Sequence, residues 1–317
     1  MKIYVAGHRG LVGSAIVRAI EDSGKHTWVG KTHSELDLLD RKAVFDYLAN
    51  EKPDAIVIAA AKVGGIHANN TLPVQFLSEN LQIETNLMDA AHAAGIARLL
   101  FLGSSCVYPK LAKQPIKEEY LLTGELEKTN EAYALAKISG LKLVQAYRNQ
   151  YGHDWISAMP TNMYGPGDNF DLENSHVLPA LIRKFHDAKT QGNGKVVLWG
   201  SGTPLREFLH SDDLAAACLF LLENYNDEIA INVGTGKDIS IKELAELIKG
   251  IVGFEGSIEW DSSRPDGTPR KLLDVSKLTA LGWTPRTSLE EGIGSTYAWF
   301  RDNNPNSEAQ NRQKAGN

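Results

Sequence analysis

The stretch Lys2-Ile3-Tyr4-Val5-Ala6-Gly7-His8-Arg9-Gly10-Leu11-Val12-Gly13 decides the fold, because it runs without a break into Ser14-Ala15-Ile16-Val17-Arg18-Ala19-Ile20. Lys2 to Ala6 is a short apolar run, β-branched in part, and reads as a strand. The residues from Ser14 read as a helix that ends at Gly24. Strand, glycine turn and helix in that order are the context a dinucleotide fingerprint requires. The glycines permit a tight turn and let a pyrophosphate approach the first N–H groups of the helix, whose dipole favours anions. The spacing, three and three, is a variant of the commoner Gly-x-Gly-x-x-Gly. Gly7, His8, Arg9, Gly10, Leu11, Val12 and Gly13 are therefore the first candidate cofactor contacts.

Outward from that turn, the second strand is expected at His26 to Gly30. NAD sites place an acid at its end for the ribose 2′-hydroxyl. Here Lys31-Thr32-His33 follows, and Arg9 sits inside the glycine loop. These bases suit a 2′-phosphate, so NADP is favoured over NAD. Lys31 and His33 read equally as solvated surface bases. Asp37-Leu38 lies where such folds contact adenine. A helix is expected over Asp40 to Asn50, and a fully apolar strand over Asp54 to Ala61, as a sheet buried on both faces requires. That strand leads into a flexible loop, Lys62-Val63-Gly64-Gly65-Ile66.

A long helix is expected over Pro73 to Gly95, then a strand over Arg98 to Gly103 and the segment Ser104-Ser105-Cys106. Side chains two apart on an extended chain point the same way, so Ser104 and Cys106 are expected to face one cleft. Trp155 to Met159 reads as a strand, His176 to Ala188 as a helix, Val196 to Trp199 as a strand, and Leu214 to Glu223 and Ile239 to Val252 as helices. Ser257 to Trp260 reads as a strand and Ser262 to Lys271 as a polar loop.

The fold class expected is α/β: a Rossmann-type doubly wound parallel sheet with a smaller C-terminal α/β substrate lobe. Residues 1–165 form the NADP-binding part, with 207–235 packing back onto it; 166–302 form the substrate lobe; 303–317 are a polar, disordered tail.

A net charge of −6 argues against nucleic acid or an anionic membrane surface as partner. No apolar run approaches the ~20 residues of a membrane helix, and no signal-peptide pattern opens the sequence. Two cysteines, Cys106 and Cys218, lie in no metal-ligand spacing, so no metal is expected and a reduced, cytoplasmic protein is.

The chemistry is expected at Tyr133-Ala134-Leu135-Ala136-Lys137, in a helical run. Positions four apart share a helix face, so the phenol and the ammonium can serve one site. A cation at ~5.5 Å favours a phenolate by roughly 3 kcal/mol at an effective dielectric of ~20, but by under ~1 kcal/mol in open water. The pair is useful only in a sheltered cleft; outside one, it is a helix with an aromatic and a solvated lysine.

Together, Gly7-x-x-Gly10-x-x-Gly13, Ser104, Tyr133-x-x-x-Lys137 and Arg206-x-Phe208-x-His210 resemble the extended short-chain dehydrogenase/reductases that act on nucleotide sugars. More narrowly, Ala59 to Ile66, Gly103 to Lys110 and Trp199 to Pro204 resemble the GDP-L-fucose synthase family. Two places depart from the broad superfamily. Asn80-Leu81-Gln82-Ile83-Glu84-Thr85 replaces an Asn-x-x-Gly-Thr helix, and Pro160 stands where many members have arginine.

The resemblance implies epimerisation at carbons 3 and 5 of a GDP-4-keto-6-deoxy-D-mannose and NADPH-dependent reduction at carbon 4. It implies Ser104 and Tyr133 as donors to the ketone oxygen, Lys137 holding the nicotinamide ribose, Cys106 as base and His176 as acid. From spacing alone, Cys106 reads first as a small buried side chain at a strand end, and His176 reads also as a helix-start residue. Leu102, Gly103, Ser104, Ser105, Lys137, Pro160, Thr161, Asn162, Met163 and His176 are the further cofactor contacts implied. Lys184, Trp199, Arg206 and Asp266 are the implied GDP-sugar contacts, although Trp199 also suits a core and Asp266 a turn. A homodimer is implied. The alternatives are another nucleotide-sugar epimerase or dehydratase, or a non-catalytic NADP-sensing protein.

Overall fold

Strand β1 (Lys2–Ala6) takes the middle of a sheet because both of its faces are apolar. Ile3 and Val5 join one core cluster, Tyr4 and Ala6 the other, and none is more than 1% exposed. The computed structural model describes residues 1–172, 174–263 and 266–303, with the backbone only at residues 66 and 67.

After β1 come helix α1 (Leu11–Ser23), strand β2 (Thr27–Val29), α2 (Arg41–Glu51), β3 (Ala55–Ile58), the short α3 (Ile66–Thr71), α4 (Pro73–Ala93), β4 (Arg98–Leu102), α5 (Glu131–Tyr151) and β5 (Asp154–Pro160). The chain continues through β6 (Asn162–Tyr164), α6 (Val177–Gln191), β7 (Lys195–Trp199), β8 (Leu205–His210), α7 (Ser211–Asn224), β9 (Ile231–Val233) and β10 (Asp238–Ser240). It ends with α8 (Ile241–Val252), β11 (Ser257–Asp261), β12 (Arg270–Lys271), α9 (Ser276–Ala280) and α10 (Leu289–Asn303).

Six parallel strands form the main sheet in the order β2-β1-β3-β4-β5-β9. Helices α2, α4 and α5 cover one face through Val44, Leu48, Leu87, Leu141 and Val144. Helices α1 and α7 cover the other through Ile16, Ile20, Leu214, Cys218 and Leu221. The sequence punctuates these helices as expected: Asp40 accepts from Ala43 N to start α2, Pro73 opens α4, and left-handed Gly24 and Gly152 stop α1 and α5. The strand order reverses between β1 and β3, and a crevice opens at the carboxyl ends there.

A third apolar cluster lies among α6, α8 and α10, with Phe185, Leu244, Ile248, Ile293 and Phe300 at its heart. Strand β8 stitches it to the main sheet. Its first half pairs antiparallel with β10 and parallel with β12, and its second half pairs with β6. Within β8, Glu207 is buried, and its carboxylate accepts from Thr235 N at 2.6 Å, Gly236 N at 2.7 Å and Leu273 N at 3.0 Å. A side chain at residue 234 would sit 2.4 Å from that carboxylate, which requires Gly234. Glu207→Gln turns an amide NH2 toward one of these donors. We expect a loss of about 2 kcal/mol and a melting point lower by about 3 °C, read by thermal denaturation; an unchanged melting point would deny Glu207 this role.

Several expectations need correction. Ser105–Val107 is a 3-10 turn, not an extended segment, so Ser104 and Cys106 come together by a cap: Ser104 Oγ accepts from Cys106 N at 3.3 Å. The loop expected through Ile66 enters α3 at that residue, and Asp238–Ser240, whose end was read into a helix, is strand β10. Strands β6, β8, β9 and β12 and helices α9 and α10 have no counterpart in the sequence reading. Asn303 is helical, so the expected tail loses its first residue; 304–317, and Arg264 and Pro265 of the expected polar loop, lie outside the described residues.

Candidate active site

The glycine turn sits at the β1/β3 crevice. Gly7 has φ +86°, and a Cβ there would lie 2.8 Å from the Ala60 backbone; a Cβ on Gly13 would lie 2.0 Å from Gly7 O. Only hydrogen fits at either place. Gly10 caps α1 without a side chain, leaving the helix start open to an anion. The turn therefore fits the pyrophosphate of a dinucleotide. His8 packs against the end of β2. Its ring lies 5.6 Å from that of Trp28, a Cβ on Gly30 would lie 2.7 Å from it, and its Nδ1 is buried without a hydrogen-bond partner among the described residues. Burial and the charge of Arg9 push this imidazole below its usual value.

Lys31 lies 3.7 Å from Glu35 and His33 3.7 Å from Asp37, all exposed, so both bases are paired with acids one turn on. Leu38 is held from below: its carbonyl accepts from Asn86 Nδ2 at 2.9 Å. Leu102 is buried at the end of β4, and Gly103 N continues the ladder to Ala158 O at 2.8 Å. Pro160 closes β5. Thr161 N bonds Val233 O, Asn162 Nδ2 bonds Glu207 O at 2.7 Å, and Met163 packs beside the α1–α7 core.

The reactive groups gather where β4 ends against α5. Cys106 is buried, and desolvation pushes its thiol above the usual range; Lys271, the Ser104 hydroxyl and Lys137 pull it back. Burial outweighs the cations in the resting thiol. The Tyr133 phenol is likewise pushed well up, first by burial, then by the charges of Cys106 and Glu84. The phenol is thus near enough to the thiol to feel its charge.

Lys137 departs from expectation. Its ammonium is 5.9 Å from the Tyr133 ring centroid, 4.6 Å over the Phe101 ring and 3.2 Å from Glu84 Oε1. Its nearest charge is a carboxylate, not the phenol.

The segment just before His176 lies against the loop after β3. Phe76 meets the Tyr133 ring edge-on at 6.3 Å, a Cβ on Gly64 would touch Phe76, and Gly65 N bonds Asn174 O at 3.0 Å. The His176 side chain makes no cap bond to α6; the residue is exposed to solvent, while the atoms crowded about its ring desolvate the imidazole and push it below its usual value. His210, by contrast, does structural work: its Nδ1 accepts from Asp212 N to start α7.

A second path leaves Cys106 for the other lobe. β12 runs parallel to β8 with Lys271 opposite Arg206, so two cations stand side by side. No hydrogen-bonding or ion-pair partner of the Lys271 ammonium occurs among the described residues, and desolvation pushes it down. Burial also works against the charge of Arg206. A Cβ on Gly267 would lie 3.7 Å from Arg206 Nη2. Next to it, Asp266 accepts from Ser201 N at 2.6 Å and Ser201 Oγ at 2.8 Å, tying down the 200–203 turn as a structural aspartate would. Trp199 is 63% exposed, which excludes a core role, and Lys184 Nζ lies 5.4 Å from its ring.

Such a constellation, a glycine turn at the switch point with a phenol, a lysine and a serine at the end of the fourth strand, has known counterparts. Residues 3–234 match the NAD dependent epimerase/dehydratase family. The chain belongs to that family. It is similar to GDP-L-fucose synthase 1 of Arabidopsis thaliana, 60% identical over 302 residues that cover 95% of this chain and 94% of that one. It is similar to GDP-L-fucose synthase of Escherichia coli, 55% identical over 311 residues, 95% and 97% of the two chains. Among solved structures, a GDP-L-fucose synthetase from Naegleria fowleri bound to NADP is 32% identical with a TM-score of 0.90, covering 96% of this chain and 94% of that one.

Two charged residues of this family member escaped the sequence reading. Glu84 was visible only as a departure from a common helix pattern, with nothing to say what it faced. Lys271 lies in Pro269-Arg270-Lys271-Leu272, where a two-residue strand leaves no period to read.

Proposed function

We propose that this chain converts GDP-4-keto-6-deoxy-D-mannose to GDP-L-fucose by epimerising carbons 3 and 5 and reducing carbon 4. The observation that carries this is the Cys106 thiol, capped by Ser104 and near enough to the Tyr133 phenol for its charge to act on it. Where dehydratases of the superfamily carry an acid pair after the serine, this chain has Ser105-Cys106. The 55–60% identity to GDP-L-fucose synthases supports the same reading.

The cofactor is NADP; in its reduced form it supplies the hydride. Gly7, Gly10 and Gly13 hold its pyrophosphate, Arg9 its 2′-phosphate with Lys31 and His33 near, Asp37 and Leu38 its adenine side, and Lys137 a ribose. Leu102 to Ser105 and Pro160 to Met163 line its nicotinamide end, with His176. Removal of a proton beside the ketone, and reduction of it, both place negative charge on the same oxygen. Ser104 and Tyr133 donate to that oxygen in both. Cys106 takes the proton on one face and His176 returns one on the other. Arg206, with Lys184, holds the diphosphate; Trp199 flanks the nucleotide, and Asp266 accepts from its hydroxyls.

In this reading residues 1–165 with 207–235 serve the cofactor and 166–302 the sugar nucleotide. Among the described residues no helix is long and apolar enough to cross a membrane, and both cysteines are buried and free. We place the enzyme in the cytoplasm and, on family resemblance, as a homodimer.

The test is incubation with NADPH and GDP-4-keto-6-deoxymannose. GDP-L-fucose with stoichiometric NADPH consumption is expected; return of the starting sugar with the cofactor unconsumed would refute it. Arg9→Ala is expected to narrow the NADPH-over-NADH preference by about tenfold or more, the value of one charge-assisted contact. An unaltered preference in cofactor titrations would displace the 2′-phosphate from Arg9.

A further inference from the structure

Glu84 reaches from α4 into the site through a gap kept open for it. A side chain at residue 140, one turn past Lys137, would lie 2.7 Å from Glu84 Oε2 and 2.4 Å from the Phe101 ring, so Gly140 makes room for the carboxylate. Both members of the Glu84–Lys137 pair are nearly sealed from water, with side chains 2% and 3% exposed. No other donor reaches either carboxylate oxygen among the described residues. A buried carboxylate with a single cationic partner is costly and is not needed for packing.

Given the proposed function, we propose that Glu84 is a positioning residue of the reducing centre. It pins the Lys137 ammonium between the Phe101 and Tyr133 rings and offsets its charge on the phenol, so that Tyr133 rests as a proton donor.

The groups that face the phenol agree with this. Lys137 lies on its own helix, Glu84 on α4 and Cys106 on the turn after β4; Lys271 on β12 and Arg206 on β8 stand behind Cys106. Phe76 closes the remaining side. Glu84 and Cys106 oppose ionisation of Tyr133. Burial works against the charge of Glu84 itself and Lys137 supports it; with the pair ionised, taking away the carboxylate's charge lowers the pH at which the phenol ionises.

The experiment is an ultraviolet difference titration of Tyr133, with Tyr133→Phe as the blank, beside the pH profile of kcat/KM for NADPH-dependent reduction. In Glu84→Gln both the phenol midpoint and the basic limb are expected to fall by about one pH unit, the order of effect of removing one neighbouring charge at an effective dielectric of ~20. Glu84→Asp, which keeps the charge, is expected to hold the wild-type midpoint. Glu84→Thr, a small neutral acceptor, is the second variant should Glu84→Gln not fold, with the same fall expected. A midpoint unmoved in the neutral variants, or moved equally in Glu84→Asp, overturns the proposal. The titration needs neither cofactor nor sugar, so it is decided separately from the reaction: a wild-type protein that fails to consume NADPH refutes the function and leaves the phenol measurement standing.

Discussion

Cys106→Ala is expected to slow exchange of the protons beside the substrate ketone by about 10³-fold, within the 10²–10⁴-fold range of a positioned base, while NADPH affinity stays unchanged. The measurement is deuterium incorporation from solvent into the sugar, followed by NMR; unchanged exchange would remove Cys106 from the mechanism. The electrostatics make the expectation sharper. The resting thiol is protonated, because burial pushes it up. Its anion becomes accessible only through the cations beside it, and Lys271 is the strongest of them. Lys271→Met removes that help, so the pH at which exchange sets in should move upward in this variant, not downward. Reduction of a substrate that is already epimerised does not need the thiolate and should survive both changes.

The layout of the first half was legible because its physics is local. Val5, Ile56, Val57 and Leu100 form unbroken apolar runs, and Gly7, Asp40, Pro73 and Gly152 mark turns and helix ends that depend on a few neighbours. The second half showed β7 and β11 but hid its other strands. Leu205–His210 carries an inward carboxylate whose partners, Thr235, Gly236 and Leu273, come from two distant segments. No alternation survives that, and β12 has only two residues. The candidate site divides the same way. Tyr133 and Lys137 share a helix face, so their pairing was readable. Glu84 meets Lys137 from a helix about fifty positions earlier, and Lys271 meets Arg206 only through strand register. Ser104 and Cys106 meet, but through a helical cap; the right neighbours were inferred from the wrong conformation.

Tyr133→Phe separates a shared oxyanion site from two independent ones. The phenol lies near enough to Cys106 to feel its charge, and its own ionisation is strongly suppressed, by burial and by two neighbouring negative charges. A group held protonated in that way can donate a hydrogen bond to a developing enolate without losing its proton, and can give the proton up fully only when an alkoxide forms. Removing the hydroxyl should therefore damage both stages. Loss of one preorganised donor is worth about 10²–10³ in rate. Both deuterium exchange beside the ketone and NADPH consumption are expected to fall by that order, with the Phe76 edge contact and the fold preserved, because only one oxygen is lost. Ser104→Ala should reproduce the double defect with the weaker of the two donors. If Tyr133→Phe stops NADPH consumption while proton exchange continues at the wild-type rate, the enolate is stabilised elsewhere, and the two stages do not lean on the same oxygen-binding site.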